Sequence, residues 1–371
     1  MTRVRTAGEN TGWRPVYDAL RYVVAASVGL ALCPSGAAAH EGWGVVVDSR
    51  GRVYCADIPA NTIWRISSER GMEAVGRHIH SHALSIGTDD AVYGMHVSLT
   101  APVRGVWRLD SSGRFADIIV PTSGLALGLQ SFLRAPDGVV YSASAYQYPA
   151  PPDGRTLYLL RWSPGGRIDT VAGGAVGHAD GDGRTARFES IDGMALLPDG
   201  SVVIADGARL RRVSATGQVT SLGNALTSKR WDQDLLGVAA APDGRLYVAD
   251  FAARVVLRVE GVRVDALYSP SAYWAPSGVA VTPSGVYVLE HPRAPLGILG
   301  DLKVGPYLRV RRFSPNGQVT TLATRWGDSS RIVMLALGAC AALAVWVLRR
   351  RGTRQAGAAR GGLQVARPAV S

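Results

Sequence analysis

The chain has 371 residues, of which 47% are hydrophobic, and its formal net charge is +11. Six of these charges lie in the arginines after Leu348 and two lie before His40, which leaves +3 for residues 40–348. Positive charge concentrated at the two ends of a chain whose middle is nearly neutral argues against a nucleic-acid partner and indicates a membrane topology.

Residues 1–39 have the pattern of a secretory signal peptide. A basic segment ends at Arg21, and the apolar stretch 22–33 is too short to cross a bilayer, which takes about 20 residues. Small residues at 37–39 then suit cleavage before His40. We therefore expect the mature chain to be exported.

One sequence motif repeats through residues 40–324. It is a Gly with a short apolar run, a Pro-Asp-Gly turn or a relative of it, and a second apolar run ending in Ala-Asp. A third strand and then a fourth follow in each unit, so that a unit has about 48 residues. Clear copies lie at 44–57, 193–206, 237–250 and 278–290, and weaker ones open at 82 and 131. This pattern predicts an all-β fold, a six-bladed β-propeller with four antiparallel strands per blade.

The last blade carries its own fourth strand, at residues 319–323. No strand is then left to complete a blade across the junction between the two ends of the chain. We expect the ring to close by face packing of blades six and one.

The segment after the propeller has the features of a membrane anchor. Residues 325–331 form a short juxtamembrane tether, and 332–348 is an uncharged stretch that predicts one C-terminal transmembrane helix. A buried core helix is the alternative, which the flanking arginines disfavour. The basic tail 349–371 should stay cytoplasmic, which places the propeller in the periplasm or at the cell surface.

Two stretches resemble known propeller families. The phrase Ala172-Gly173-Gly174, followed by residues 180–188 and 192–195, is similar to the inter-blade phrase of the NHL family of six-bladed propellers. Residues 56–65 resemble the SMP-30/gluconolactonase group. The resemblance covers about residues 40–324; it implies the propeller fold and says little about function.

Ligands of propellers usually bind near the central axis, where the innermost strands begin. The residue before the opening Gly of each repeat, or before the small residue that replaces it, occupies this rim. Blades two to four offer an imidazole, an amide and a carboxylate. In blade order the rim residues are Trp43, His82, Gln130, Asp192, Leu236 and Ser277.

The resemblance to the SMP-30 group implies a divalent cation held by a Glu, an Asn and an Asp, the last of which also acts as the base. These positions fall on Trp43, Asp192 and Leu236. Only Asp192 can bind a hard cation, which takes several oxygen ligands. Glu41, two residues from the Glu position, would substitute only after a local shift.

A second possible metal site comes from His78, His80 and His82. On an extended strand alternate side chains share one face, and imidazoles so placed suit zinc or copper. Asp192, His96 or Glu41 would supply a further ligand. The alternative is a polar connection with solvated histidines.

Other polar residues have structural interpretations. The acidic stretch 180–183 is expected to form a turn, and Asp57, Asp206 and Asp250 are expected to cap the turn between second and third strands. Cys55 is expected to be a small core residue, because no second cysteine exists in the exported part for a disulfide.

The sequence favours a membrane-anchored module that binds a protein, peptide or glycan on the propeller face, with no assigned cofactor. The alternative is a metal-assisted lactone or ester hydrolase related to SMP-30. Its candidate catalytic residue is Asp192, with His82, Gln130 or Glu41 as partners.

Overall fold

A computed structural model of the protein describes residues 42–96, 105–119, 131–143, 156–224, 226, 235–271, 273–292, 306–327, 338–339, 341–343 and 345–346. The chain divides into two compact units. One comprises Ala38–Pro295 and Pro306–Arg325, and the other comprises Met1–Ala37, Leu296–Gly305 and Trp326–Ser371. In the second unit, 338–339, 341–343 and 345–346 are helical.

The described residues form twenty-four strands in six four-stranded sheets. In chain order they are β1 (Val45–Val47), β2 (Val53–Asp57), β3 (Thr62–Ser67), β4 (Gly71–Arg77), β5 (Leu84–Ile86), β6 (Val92–Met95), β7 (Val106–Leu109), β8 (Phe115–Ile119), β9 (Phe132–Arg134), β10 (Val140–Ala143), β11 (Thr156–Trp162), β12 (Ile168–Ala175), β13 (Met194–Leu196), β14 (Val202–Asp206), β15 (Arg209–Val213), β16 (Val219–Ser221), β17 (Leu235–Ala240), β18 (Leu246–Asp250), β19 (Val255–Glu260), β20 (Arg263–Tyr268), β21 (Trp274–Thr282), β22 (Gly285–Pro292), β23 (Pro306–Phe313) and β24 (Val319–Trp326).

Each successive group of four strands is one blade, and each blade pairs its strands in sequence order. The strands pair antiparallel, as in β13 and β14, where Met194 faces Ile204 and Leu196 faces Val202. The first strands of neighbouring blades contact one another around the whole ring, including β1 with β21. The structure thus confirms the all-β, six-bladed propeller with four antiparallel strands per blade.

The Pro-Asp-Gly turn forms the hairpin loop between the first two strands of a blade. In blade four the Leu197 N–H donates to the Ser201 carbonyl at 2.8 Å, and Gly200 N–H donates to the Leu197 carbonyl at 3.0 Å. Gly200 has a φ of 81°, a conformation that glycine adopts without steric cost. Asp199 Oδ1 accepts the Ser201 N–H at 2.9 Å and fixes the loop.

The burial of the second strands explains why each of them is a continuous apolar run in the sequence. Every residue of β2, β14 and β18 is buried. A blade is covered by a neighbour on each of its faces, so both sides of its central strands exclude water. Each fully buried Val or Leu there contributes about 1.5–3 kcal/mol to the burial free energy.

Ring closure follows the same packing. Val45 and Cys55 of blade one share a buried apolar cluster with Leu289 and Val310 of blade six. Within the described residues, both sheets at this junction consist of consecutive strands, so the predicted closure by face packing is confirmed. Cys55 is fully buried, as expected, and burial raises the pKa of its thiol.

Several sequence predictions concern residues outside the described ranges. These are the signal peptide at 1–39, the cytoplasmic tail at 349–371 and most of the tether and of the predicted span at 332–348. Among the helical residues that are described, none belongs to a helix with the length and apolar character needed to cross a membrane. Strand β24 ends at Trp326, three residues further than the sequence predicts.

Candidate functional site

The rim residues lie where the innermost strands begin, at one end of the propeller axis. Trp43, His82 and Asp192 come just before β1, β5 and β13, whereas Leu236 and Ser277 lie within β17 and β21. Gln130 and Glu41 are outside the described residues. The five described rim residues thus lie just before, or within, the first strands of their blades.

Adjacent blades touch through their backbones at this rim. The N–H groups of Trp43 and Gly44 donate to the His82 carbonyl at 2.9 and 2.7 Å, and the Gly193 N–H donates to the Leu236 carbonyl at 2.7 Å. A Cβ atom on Gly193 would overlap that same carbonyl oxygen. The opening glycine of the repeat is thus required by close approach between blades.

The rim is apolar at two positions where the lactonase resemblance would require acids. Trp43 and Leu236 are 6% and 1% exposed and belong to one buried apolar cluster with Phe132 and Ala275. Neither side chain offers an oxygen ligand, so these residues do not fit the divalent cation of that group. Asp192, the third position, is half-buried.

Beyond the rim, the inner strands of all six blades line an axial cavity of about 260 Å³. The residues that line it are mainly Val, Leu, Ile and Ala. Among the described residues, no group of three or more His, Cys, Asp or Glu side chains is arranged to hold a metal ion.

The three predicted histidine ligands are not equivalent in the structure. His78 is exposed and has a φ of 60°, so the segment is not one extended strand, and the expectation of a single shared face is wrong for this residue. His80 and His82 do come together, with their Nε2 atoms 3.1 Å apart. His80 Nδ1 lies 3.0 Å from Asn61 Oδ1, in the turn between β2 and β3.

A further polar pair was not predicted from the sequence. His291 Nδ1 lies 2.9 Å from the Ser277 hydroxyl, which in turn donates to the Gly42 carbonyl at 2.9 Å. His291 is 4% exposed, and burial lowers its pKa to about 4. It follows Glu290 directly, one residue beyond the end of the aligned repeat, where other blades have Ile58, Gly207 and Phe251.

The acids that end the repeats are mainly structural. Asp57 Oδ1 accepts the Ala60 N–H at 3.1 Å and Asp250 Oδ1 accepts the Ala253 N–H at 2.7 Å, which confirms their capping of the turn. Asp206 differs, because its Oδ1 accepts the N–H groups of residues 189 and 190 on the connection that leads into its own blade.

Asp206 also forms a buried ion pair with Arg211 at 2.7 Å, and neither side chain is exposed. Burial raises the pKa of the Asp206 carboxyl, and Arg211 and the two N–H donors oppose that rise. Arg211 also contacts Asp180 at 2.8 Å, while Asp182 Oδ1 accepts the N–H groups of residues 184 and 185. The stretch 180–183 is thus a turn, as predicted.

Comparison with known proteins gives a likeness of fold. No family model and no curated protein matches the sequence. A putative gluconolactonase structure is 18% identical, with a TM-score of 0.50 and coverage of 70% of this chain and 91% of that one. A gluconolactonase from Xanthomonas campestris is 12% identical, with a TM-score of 0.50 and coverage of 67% and 83%.

Virginiamycin B lyase from Staphylococcus aureus is 13% identical, with a TM-score of 0.46 and coverage of 76% of this chain and 83% of that chain. At these identities the likeness concerns the scaffold and assigns no activity. The NHL-like repeats fit the same architecture. The chain is a six-bladed, NHL-like β-propeller with structural neighbours in the gluconolactonase/SMP-30 family.

Proposed function

We propose that this protein is a binding module whose ligand, a protein, peptide or glycan, docks at the end of the propeller where the inner strands begin. The observation that supports it is that the rim is apolar at two of its positions. Trp43 and Leu236 are buried together at two positions where a lactonase-like site would need a metal ligand and a base. The scaffold is retained, whereas the residue types for that chemistry are absent at both positions.

The lengths of the connections between strands also favour this end of the propeller as the place where the ligand binds. At the opposite end, first and second strands are joined by two to five residues, as at 48–52 and 283–284. At the proposed binding end, ten residues join β6 to β7 and twelve join β10 to β11. Long connections on a rigid scaffold are common carriers of recognition.

We also propose that the propeller is exported and held by a single span at 332–348, with the arginine-rich tail in the cytoplasm. Support comes from the sequence alone. The test is fractionation of cells that express the full chain with a C-terminal epitope. The proposal requires the epitope in the membrane fraction and protected from protease added outside; an epitope in the soluble fraction contradicts it.

Binding is tested with the purified full-length protein as bait against extracytoplasmic extracts and glycan arrays. Asp192→Ala alters the proposed binding end, and Asp243→Ala alters a Pro-Asp-Gly turn at the opposite end and is the matched control. We expect a captured ligand to be lost or weakened at least tenfold with Asp192→Ala and retained with Asp243→Ala. Equal capture by both variants contradicts the proposed binding end.

Metal analysis of the same preparation distinguishes the hydrolase alternative from the binding proposal. A stoichiometric Mg²⁺, Ca²⁺ or Mn²⁺ that is lost in Asp192→Ala, together with lactone or ester hydrolysis lost in the same variant, would replace the binding proposal. A folded wild-type protein without such a metal and without hydrolysis supports the binding proposal.

A further inference from the structure

The Nε2 atoms of two imidazole rings lie close together at the binding end of blade two. His80 and His82 lie on the connection between β4 and β5, with their Nε2 atoms 3.1 Å apart and ring centroids 5.1 Å apart. Two nitrogen ligands of a tetrahedral zinc ion, with bonds of about 2.0–2.1 Å, are separated by roughly 3.3 Å. The observed spacing is therefore close to that of two ligands on one metal ion.

The His82 ring is held in place by its surroundings. The residue is 1% exposed, and its carbonyl accepts the N–H groups of Trp43 and Gly44 from blade one. Its ring packs edge-on against the Trp43 indole at a centroid distance of 5.3 Å. This packing directs Nε2 towards His80 before any ligand arrives.

The His80 ring is oriented by Asn61. The Asn61 amide oxygen, 3.0 Å from His80 Nδ1, is an acceptor, so Nδ1 carries the proton when the ring is neutral. The other nitrogen, Nε2, then presents a lone pair towards His82. Metal-bound imidazoles commonly donate their second N–H to an oxygen in this way.

The backbone of Asn61 is itself fixed by the fold. It lies in the turn between β2 and β3 with a φ of 46°, and its carbonyl accepts the Ile79 N–H at 2.9 Å. The turn of blade one and the connection into blade two are thus tied together on either side of the imidazole pair.

We propose that His80 and His82 bind one Zn²⁺ or Cu²⁺ ion through their Nε2 atoms, with Asn61 as the positioning residue. Imidazole nitrogen favours these metals over Mg²⁺ and Ca²⁺, which prefer oxygen. The nearby Asp57 carboxylate is occupied by Ala60 N–H and by the Trp64 indole and Tyr307 hydroxyl. Among the described residues no third His, Cys, Asp or Glu side chain completes a metal-binding group with this pair, so we assign the remaining coordination positions to water or to a donor atom of a bound ligand.

The site differs from the cation site of the lactonase resemblance. It uses two nitrogens from one connection, whereas that site would use oxygens from three blades. His78 does not contribute, because its left-handed backbone takes it out of the alternating register.

The test uses untagged, full-length protein freed of metal with a chelator and titrated with ZnCl₂ or CuSO₄ against a chromophoric competitor. We expect one equivalent in the wild type and at least a tenfold loss of affinity in His80→Ala. Asn61→Gly removes the amide at a position whose φ suits glycine, and it should weaken binding by roughly 10–100-fold. His178→Ala, on the connection between blades three and four, is the matched control and should bind as the wild type does.

Two further results decide the proposal. The Cu²⁺ form should show nitrogen couplings from two imidazoles in its electron paramagnetic resonance spectrum, and from one in His80→Ala. Unfolding curves of His80→Ala, whose side chain is half-buried, show whether the variant is folded, which His82→Ala would not guarantee. Wild-type binding no tighter than that of a folded His80→Ala, or equal affinity for Ca²⁺, overturns the proposal.

Discussion

Tyr307 donates a hydrogen bond of 2.6 Å to Asp57 Oδ2 and joins β23 of blade six to the end of β2 in blade one, across 250 residues of sequence. The same carboxylate accepts the Trp64 indole N–H at 2.9 Å and caps its own turn through Ala60. One acid of the repeat thus stabilises a turn and the closure of the ring. Closure without strand exchange depends on side-chain contacts of this kind.

Tyr307→Phe should lower the free energy of unfolding by about 1–3 kcal/mol, because it removes a hydrogen bond to a charged acceptor. The matched control is Tyr287→Phe, in the same blade, whose hydroxyl lies 2.9 Å from Ser284 within one hairpin. We expect the control to lose under about 1 kcal/mol. Denaturant unfolding measures both. Equal losses would show that the contact between Tyr307 and Asp57 contributes no more to the free energy of unfolding than a contact within one hairpin.

Gly193→Ala should be the more damaging of two glycine substitutions. A Cβ there overlaps the Leu236 carbonyl that accepts the Gly193 N–H, so the inner strands of blades four and five must separate. We expect a loss of at least about 2 kcal/mol or failure to fold. The control is Gly165, in an open hairpin, where an added methyl group would meet no atom within 4 Å.

The comparison is made by thermal unfolding, with the yield of folded protein as a second measurement. Gly165→Ala should keep the melting temperature of the wild type within a few degrees, since it meets no neighbouring atom. A Gly193→Ala protein as stable as Gly165→Ala would show that the blades tolerate separation at the rim.

The propeller was predictable because its determinants are local. Apolar runs and Pro-Asp-Gly turns such as 198–200 specify strands and hairpins, and repetition turns them into blades. The rim positions followed from aligning the repeats. His291 was missed because the alignment ended at Glu290, and nothing local shows that the next residue reaches Ser277.

Two other features depend on contacts that a single repeat does not contain. The left-handed backbone at His78 breaks an alternation that the His-x-His-x-His pattern suggests. Asp206 binds the backbone of residues 189 and 190 because the turn after β14 is only two residues long, whereas those after β2 and β18 have four. Loop length, rather than residue type, decides which N–H groups the acid reaches.

Neighbouring arginines on β15 should respond differently to substitution. Arg211 is fully buried and pairs with buried Asp206, whereas Arg212 pairs with Asp199 at the surface. Arg211→Met leaves a buried carboxylate without its cation and should cost about 3–5 kcal/mol. Arg212→Met should cost about 0–1 kcal/mol. Denaturant unfolding at neutral pH measures both, and similar losses would contradict a structural role for the buried pair.

His291 should make the stability of the propeller depend on pH. Its pKa is about 4 in the folded protein and about 6.5 when unfolded, so only the unfolded state takes up the proton between these values. Stability from this residue therefore falls as pH decreases from 6.5 to 4, by at most about 3 kcal/mol. Burial raises the pKa of the adjacent Glu290, whose titration acts in the opposite direction but is common to both proteins compared.

The measurement is the difference in unfolding free energy between the wild type and His291→Asn at several pH values. Above pH 7 the variant should be less stable by about 1 kcal/mol, because the contact with the Ser277 hydroxyl is altered. Towards pH 5 this difference should shrink and then reverse, since the variant has no imidazole to protonate on unfolding. A difference that stays constant from pH 7.5 to pH 4.5 would show that His291 is protonated equally in both states.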